Sequence, residues 1–118
     1  MTLLEKARAG EITDEMRTCA EHEGIDPEVI RRGMVDGTIV ILHSFRENIR
    51  PVAVGKGLFT KVSASVGLYE AGDTVDGEMA KIAAAVKAHT DTIMDLSVRG
   101  RTNICTACLC KCGSYLRH

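Results

Sequence analysis

Apolar side chains recur along this chain with a helical period in four places and with a strand period in four more. Leu3, Leu4 and Ala7 share a face at the i, i+3, i+4 spacing and predict a helix near residues 2–9, stopped by Gly10. Met16, Cys19 and Ala20 form the apolar face of a second helix near residues 13–23. Thr13 is its N-cap, Asp14 and Glu15 sit in the first turn where the helix dipole favours anions, and Gly24 ends it. Asp26-Pro27-Glu28 opens a third helix, over residues 26–36. Asp caps, and Pro fits the first turn because its missing N–H has no intrahelical partner there. Arg31 and Arg32 near its far end read as solvated charges on a helix packed over a strand, in preference to a phosphate site.

Residues 38–42 are a β-branched run and predict a strand, and residues 51–54 predict another beyond a polar loop. Gly55-Lys56-Gly57 closes this pair as a turn, since it lacks the spacing of a phosphate loop. A strand is expected near residues 60–66, then a helix near residues 75–89 whose face is Val75, Met79, Ile82, Ala83 and Val86, then a strand near residues 91–96. Strand, helix and strand in that order favour parallel pairing with a right-handed crossover. Ser65 and Met94 then emerge at one edge of the sheet, at strand ends, where α/β folds place ligand contacts.

Length and charge narrow the picture. At 118 residues the chain holds a domain but falls short of the about 250 residues of an eight-stranded barrel. It is 45% hydrophobic, enough for a core, while aromatics are 3% and Trp is absent, which leaves few stacking platforms for nucleic acid. No stretch approaches the roughly 20 apolar residues of a membrane span, and the N-terminus is charged and amphipathic, unlike a secretory signal. The expectation is a cytoplasmic protein without nucleic-acid or membrane partners. The net charge of −1 conceals an asymmetry. Residues 1–97 hold 11 of the 15 basic side chains and all 16 acids, whereas residues 98–118 hold four bases and no acid.

A run of ordered matches now becomes informative. Leu4-Glu5-Lys6-Ala7-Arg8-Ala9-Gly10-Glu11-Ile12-Thr13, Glu15-Met16, Glu23-Gly24, Ile30-Arg31 and Gly37-Thr38-Ile39-Val40-Ile41 come first. Pro51 with Gly55 and Gly57, Thr60-Lys61-Val62 and Asp91-Thr92-Ile93-Met94-Asp95-Leu96-Ser97 follow. Together, from residue 2 to about residue 97, they resemble the opening of the phosphomethylpyrimidine synthase family of thiamine biosynthesis. The resemblance implies a small N-terminal α/β domain and then a (β/α)8 barrel. It implies a radical S-adenosylmethionine lyase, a homodimer, that turns 5-aminoimidazole ribotide into hydroxymethylpyrimidine phosphate with a [4Fe–4S] cluster and a zinc-type site. Met94 matches a substrate-contacting position of the family. Ser65 stands where the family has the second Asn of Asn-Ala-Asn-Ile-Gly; here the strand reads Ser63-Ala64-Ser65-Val66-Gly67. Serine keeps a hydroxyl and loses the two-sided hydrogen bonding of an amide. Two further departures are Leu42-His43-Ser44, where the family tends to have a Pro and an Asn, and Val98-Arg99-Gly100, where it continues Thr-Gly-Gly.

Five cysteines are present. Cys19, on the apolar face of the second helix, reads as a small buried hydrophobe. Cys105, Cys108, Cys110 and Cys112 cluster in the tail with spacing x2, x, x, against the Cys-x2-Cys-x4-Cys of the family's cluster motif. Clustered thiols suit a soft metal. The simpler account is a shifted reading frame or truncated gene after Ser97, which produces the same abrupt change of composition.

The expected fold class is therefore α/β. Residues 1–58 form an N-terminal helical and small-sheet domain, residues 59–97 the first βαβ of an incomplete barrel, and residues 98–118 an aberrant Cys-rich tail. The expected function is that of an N-terminal fragment of the pyrimidine synthase, inactive alone, with Ser65 and Met94 on the substrate side and no cofactor of its own. Two alternatives stay open. One is a small Cys-rich metal-binding or redox protein. The other is a fragment of the related 5-hydroxybenzimidazole synthase, which takes the same substrate to a different product.

Overall fold

The first sixty residues carry three capped helices followed by two short apolar strands, and the computed structural model, which describes residues 1–44 and 49–98, shows why they hold together. Helices α1 (Leu3–Arg8), α2 (Asp14–Glu23) and α3 (Pro27–Asp36) start at Thr2, Thr13 and Asp26, and each of these side chains accepts a backbone N–H from the first turn. Gly24 and Gly37 end α2 and α3 in the left-handed conformation that glycine adopts without a steric penalty. Strands β1 (Ile39–Leu42) and β2 (Val52–Gly55) pair antiparallel, with Ile39 opposite Gly55 and Leu42 opposite Val52. Thr38 stays outside the strand because its N–H closes the end of α3 on the Gly33 carbonyl, and Pro51 stays outside because it has no N–H to give.

The core of this unit is Ala7, Met16, Cys19, Ala20, Ile30, Met34, Ile39 and Ala53. Met16 and Ile30 are fully buried, and each contributes about 1.5–3 kcal/mol by leaving water. Leu4, expected on the apolar face of α1, is exposed, because a helix this short buries only Ala7. Arg31 also departs from expectation. Its side chain is 18% exposed, and its Nη1 donates to the Ala7 carbonyl at the end of α1 while Nε and Nη2 grip Glu28. It ties two helices together, whereas Arg32 is solvated as expected.

The second compact unit begins at Lys61. Strand β3 (Ser63–Val66), helix α4 (Val75–Lys87) and strand β4 (Thr92–Asp95) follow in order, and β3 pairs parallel with β4. The strand expected from residue 60 starts at Ser63. Upstream of it, the Val62 N–H bonds the Asp91 carboxylate and the Val62 carbonyl accepts from Asp91 and Thr92, so the turn into β4 takes the groups a longer ladder would use. Helix α4 ends early as well, because His89 turns left-handed at φ 61°. Val66, Leu68 and Ile82 form the core here, with Val75, Met79, Val86 and Ile93 packed around them. Ala83, expected on this face, is exposed, and Glu78 takes a buried place instead.

The Glu28–Arg31 clamp makes the first unit acid-sensitive. Hydrogen bonding from Arg31, with help from Arg32, lowers the Glu28 pKa from 4.5 to about 2. A carboxylate with a depressed folded pKa contributes stability above its unfolded value and loses it as pH falls through the folded one. Glu28→Gln should therefore flatten the loss of helical circular dichroism stability between pH 4.5 and about 2. An acid transition of unchanged slope in this variant would remove the clamp from the account.

Candidate functional site at the strand ends

A parallel pair in register puts matching residues side by side and sends alternate side chains to opposite faces. Ser65 pairs with Met94, Ser63 with Thr92, Ala64 with Ile93 and Val66 with Asp95. Val66 and Ile93 belong to the core beneath α4, so Ser63, Ser65, Thr92 and Met94 line the face turned away from the helix. Met94 is 52% exposed there, and Ser65 is exposed beside it. The structure thus brings together the two residues singled out from sequence, on the face α4 leaves uncovered.

The carboxyl ends of the two strands are held more tightly than their four-residue lengths suggest. Beyond Val66 and Asp95 the ladder continues, with the Leu96 N–H on the Val66 carbonyl at 2.8 Å and the Val98 N–H on the Leu68 carbonyl at 3.1 Å. Between them sits Gly67, at φ 153°, where a Cβ would stand 2.7 Å from the Ser97 nitrogen. The Leu68 N–H donates to the Ser97 hydroxyl, which donates in turn to Asp95 at 2.5 Å. The Gly67 N–H donates to Glu78 at 2.9 Å.

Glu78 is 2% exposed, and its second carboxylate oxygen pairs with Lys81 at 2.6 Å. The hydrogen bond from Lys81, then that from the Gly67 amide, hold its pKa below the ordinary carboxylate value against the opposing effect of burial. The same pairing raises Lys81. Neither Glu78 nor the Asp95–Ser97 pair was expected from sequence. A signal existed for Glu78: it lies three residues after Val75 and four before Ile82, inside the apolar stripe of α4, where an unpartnered carboxylate would be costly.

Among the described residues no group of three or more His, Cys, Asp or Glu is arranged to hold a metal ion. Cys19 is buried in the first unit as expected. Cys105, Cys108, Cys110 and Cys112 lie outside the described residues, as does the rest of the tail from residue 99. No helix of the described residues is long and apolar enough to cross a membrane.

A parallel strand–helix–strand unit with an open polar face at its strand ends is an architecture of α/β proteins that handle small molecules. The chain matches the radical SAM ThiC family over residues 2–114 and belongs to that family. It is 75% identical over 100 residues to the 5-hydroxybenzimidazole synthase BzaA of Eubacterium limosum, covering 85% of this chain and 23% of that protein. Over 101 residues it is 61% identical to the BzaA of Moorella thermoacetica, again 85% of this chain and 23% of the relative. The phosphomethylpyrimidine synthase of Syntrophus aciditrophicus is 46% identical over 101 residues, 85% of this chain and 24% of the relative. The chain therefore spans about a quarter of the length of the curated relatives it matches.

Gly67 offers a direct probe of the strand ends. Gly67→Ala should lose roughly 1–3 kcal/mol in urea unfolding, because the new methyl meets backbone of Leu96 and Ser97 at a φ that L-residues rarely adopt. Stability equal to the parent would mean that the two strand ends are not packed as described.

Proposed function

We propose that this chain is the N-terminal portion of a radical S-adenosylmethionine lyase acting on 5-aminoimidazole ribotide, and that its βαβ unit is the first of a (β/α)8 barrel. The observation that carries this is the pairing of Ser65 with Met94 on the face α4 leaves open. In a barrel the face away from the helices is the interior, and strand ends at its mouth bear the ligand contacts. Closing further strands around β3 and β4 would cover Met94 and bury the open edges of both. Ser65 then offers a hydroxyl to a polar atom of the ribotide, and Met94 packs against its apolar ring edge. S-adenosylmethionine with a [4Fe–4S] cluster would supply the radical chemistry when bound, and a zinc-type ion would help to position the substrate. The part of Ser65 and Met94 is to bind and orient the substrate. The resemblance supports a cytoplasmic homodimer for the full-length enzyme.

The residue pattern alone leans toward the thiamine pyrimidine. Identity favours the other product: 75% and 61% to two relatives named 5-hydroxybenzimidazole synthase, against 46% to a phosphomethylpyrimidine synthase. We therefore assign 5-hydroxybenzimidazole as the product of the complete enzyme.

Grafting residues 1–97 into an enzyme of each type, in place of its own N-terminal segment, tests both levels. Anaerobic turnover followed by mass spectrometry should give 5-hydroxybenzimidazole in the first background and little product in the second. Loss of turnover in both would sink the family reaction, and equal turnover in both would sink the product assignment. In the active graft, Ser65→Asn should tighten ribotide binding about fivefold, the value of about one added hydrogen bond. An unchanged dissociation constant would take Ser65 off the ligand. The 118-residue chain alone should form no 5′-deoxyadenosine under anaerobic reduction, since one βαβ unit cannot enclose a radical and its substrate.

A further inference from the structure

Glu78 is a buried carboxylate that the proposed chemistry does not use. Its partners explain what it does. One oxygen accepts the N–H of Gly67, the first peptide beyond β3, and the other pairs with Lys81 one turn further along α4. Gly67 in turn lies against the backbone of Leu96 and Ser97, the first residues beyond β4. A single side chain therefore pins the crossover helix to the peptide at which both strand ends meet. The Asp95–Ser97–Leu68 relay secures the same junction from the β4 side. Ser65 stands two residues before Gly67, and Met94 two before Leu96.

We propose that Glu78 is a positioning residue: by holding the Gly67 peptide, it sets the register and spacing at which Ser65 is presented beside Met94. This deepens the assignment of that face to the substrate and rests on it for its functional meaning. The carboxylate acts from the helix side, its hydrogen bonds going to the Gly67 N–H and to Lys81. Loosening the Gly67 peptide frees the end of β3 to shift along β4, and misplacement of about 1 Å at a binding face costs about a hundredfold in rate.

The charged and titratable groups around Glu78 are few. Lys81 of α4 is its ion-pair partner, Asp73 of the preceding loop opposes its charge, and Asp95 of β4 stands in register with Val66 and is engaged by Ser97. Residues of β3 bring no titratable group. The Gly67 amide should therefore report Glu78 ionisation at a midpoint below the ordinary 4.5.

The test is nuclear magnetic resonance of the full 118-residue chain, labelled in the backbone amides and methionine methyls, as the parent, Glu78→Gln and Glu78→Ala. In the parent, the Gly67 amide, the Ser65 amide and the Met94 methyl should titrate with one shared low midpoint. Glu78→Ala should move all three signals at neutral pH. Glu78→Gln, which keeps an acceptor for the Gly67 N–H, should return Ser65 and Met94 toward their parent positions and abolish the shared titration. A carboxylate that merely anchors α4 would move Gly67 and leave Ser65 and Met94 in place, and that result overturns the proposal. Persistence of the shared titration in Glu78→Gln overturns it as well. Should Glu78→Ala fail to fold, the titrations of the parent and Glu78→Gln decide alone. Failure of the grafted enzymes to turn over leaves these spectra, and the positioning role, intact.

Discussion

Parallel strands cannot be joined by a tight turn, so β3 and β4 depend on α4 to carry the chain back, and everything at their carboxyl ends depends on how that helix is fastened. The fastening is polar. Glu78 reaches from the first turns of α4 to the Gly67 N–H, at a point where only glycine leaves room for the backbone of Leu96 and Ser97. A buried carboxylate is tolerable because both of its oxygens are engaged, one by an amide and one by an ammonium. The apolar contacts of Val66, Leu68 and Ile82 hold the helix to the sheet, and this polar contact sets where along the sheet it sits.

On the opposite face of the same pair Ser63, Ser65 and Met94 are exposed. Four-residue strands with an exposed methionine and two edges unpaired among the described residues make a poor independent sheet and a good component of a larger one. The first unit differs in this respect. Its antiparallel strands rest on the α2–α3 layer through Ile39 and Ala53, and Arg31 fastens α3 to α1 through a carbonyl at the helix end. Each unit thus has an ion pair that also engages a backbone group, Glu28–Arg31 the Ala7 carbonyl and Glu78–Lys81 the Gly67 N–H.

Much of this was legible in the chain. Caps at Thr13 and Asp26, stops at Gly24 and Gly37, a small sheet of two short strands and the parallel strand–helix–strand all follow from local chemistry and periodicity, while the antiparallel sense of the small sheet came from the structure. So does the neighbourhood of Ser65 and Met94, since two strands joined by one crossover helix bring their ends to the same edge. Element ends were less legible. Thr38 and Val62 look like strand residues, but the Thr38 N–H is taken by a helix end and the Val62 N–H and carbonyl by the turn into β4. Ala83 fits the period of an apolar face and is nevertheless exposed, because the sheet beneath α4 is two strands wide among the described residues and covers a narrow stripe.

By itself the sequence determined the elements, their order and the family, because capping, hydrophobic period and ordered motifs are properties of neighbours along the chain. The tertiary structure alone decided the roles of Arg31 and Glu78. Arg31 looks solvated until the fold shows which backbone groups lie within reach, and the place of Glu78 in the apolar stripe of α4 signals burial without naming its partner. Arg31 finds the Ala7 carbonyl 24 residues away, and Glu78 finds the Gly67 amide 11 residues away. Such partners are set by packing in three dimensions, and no local pattern of apolar and polar positions encodes them.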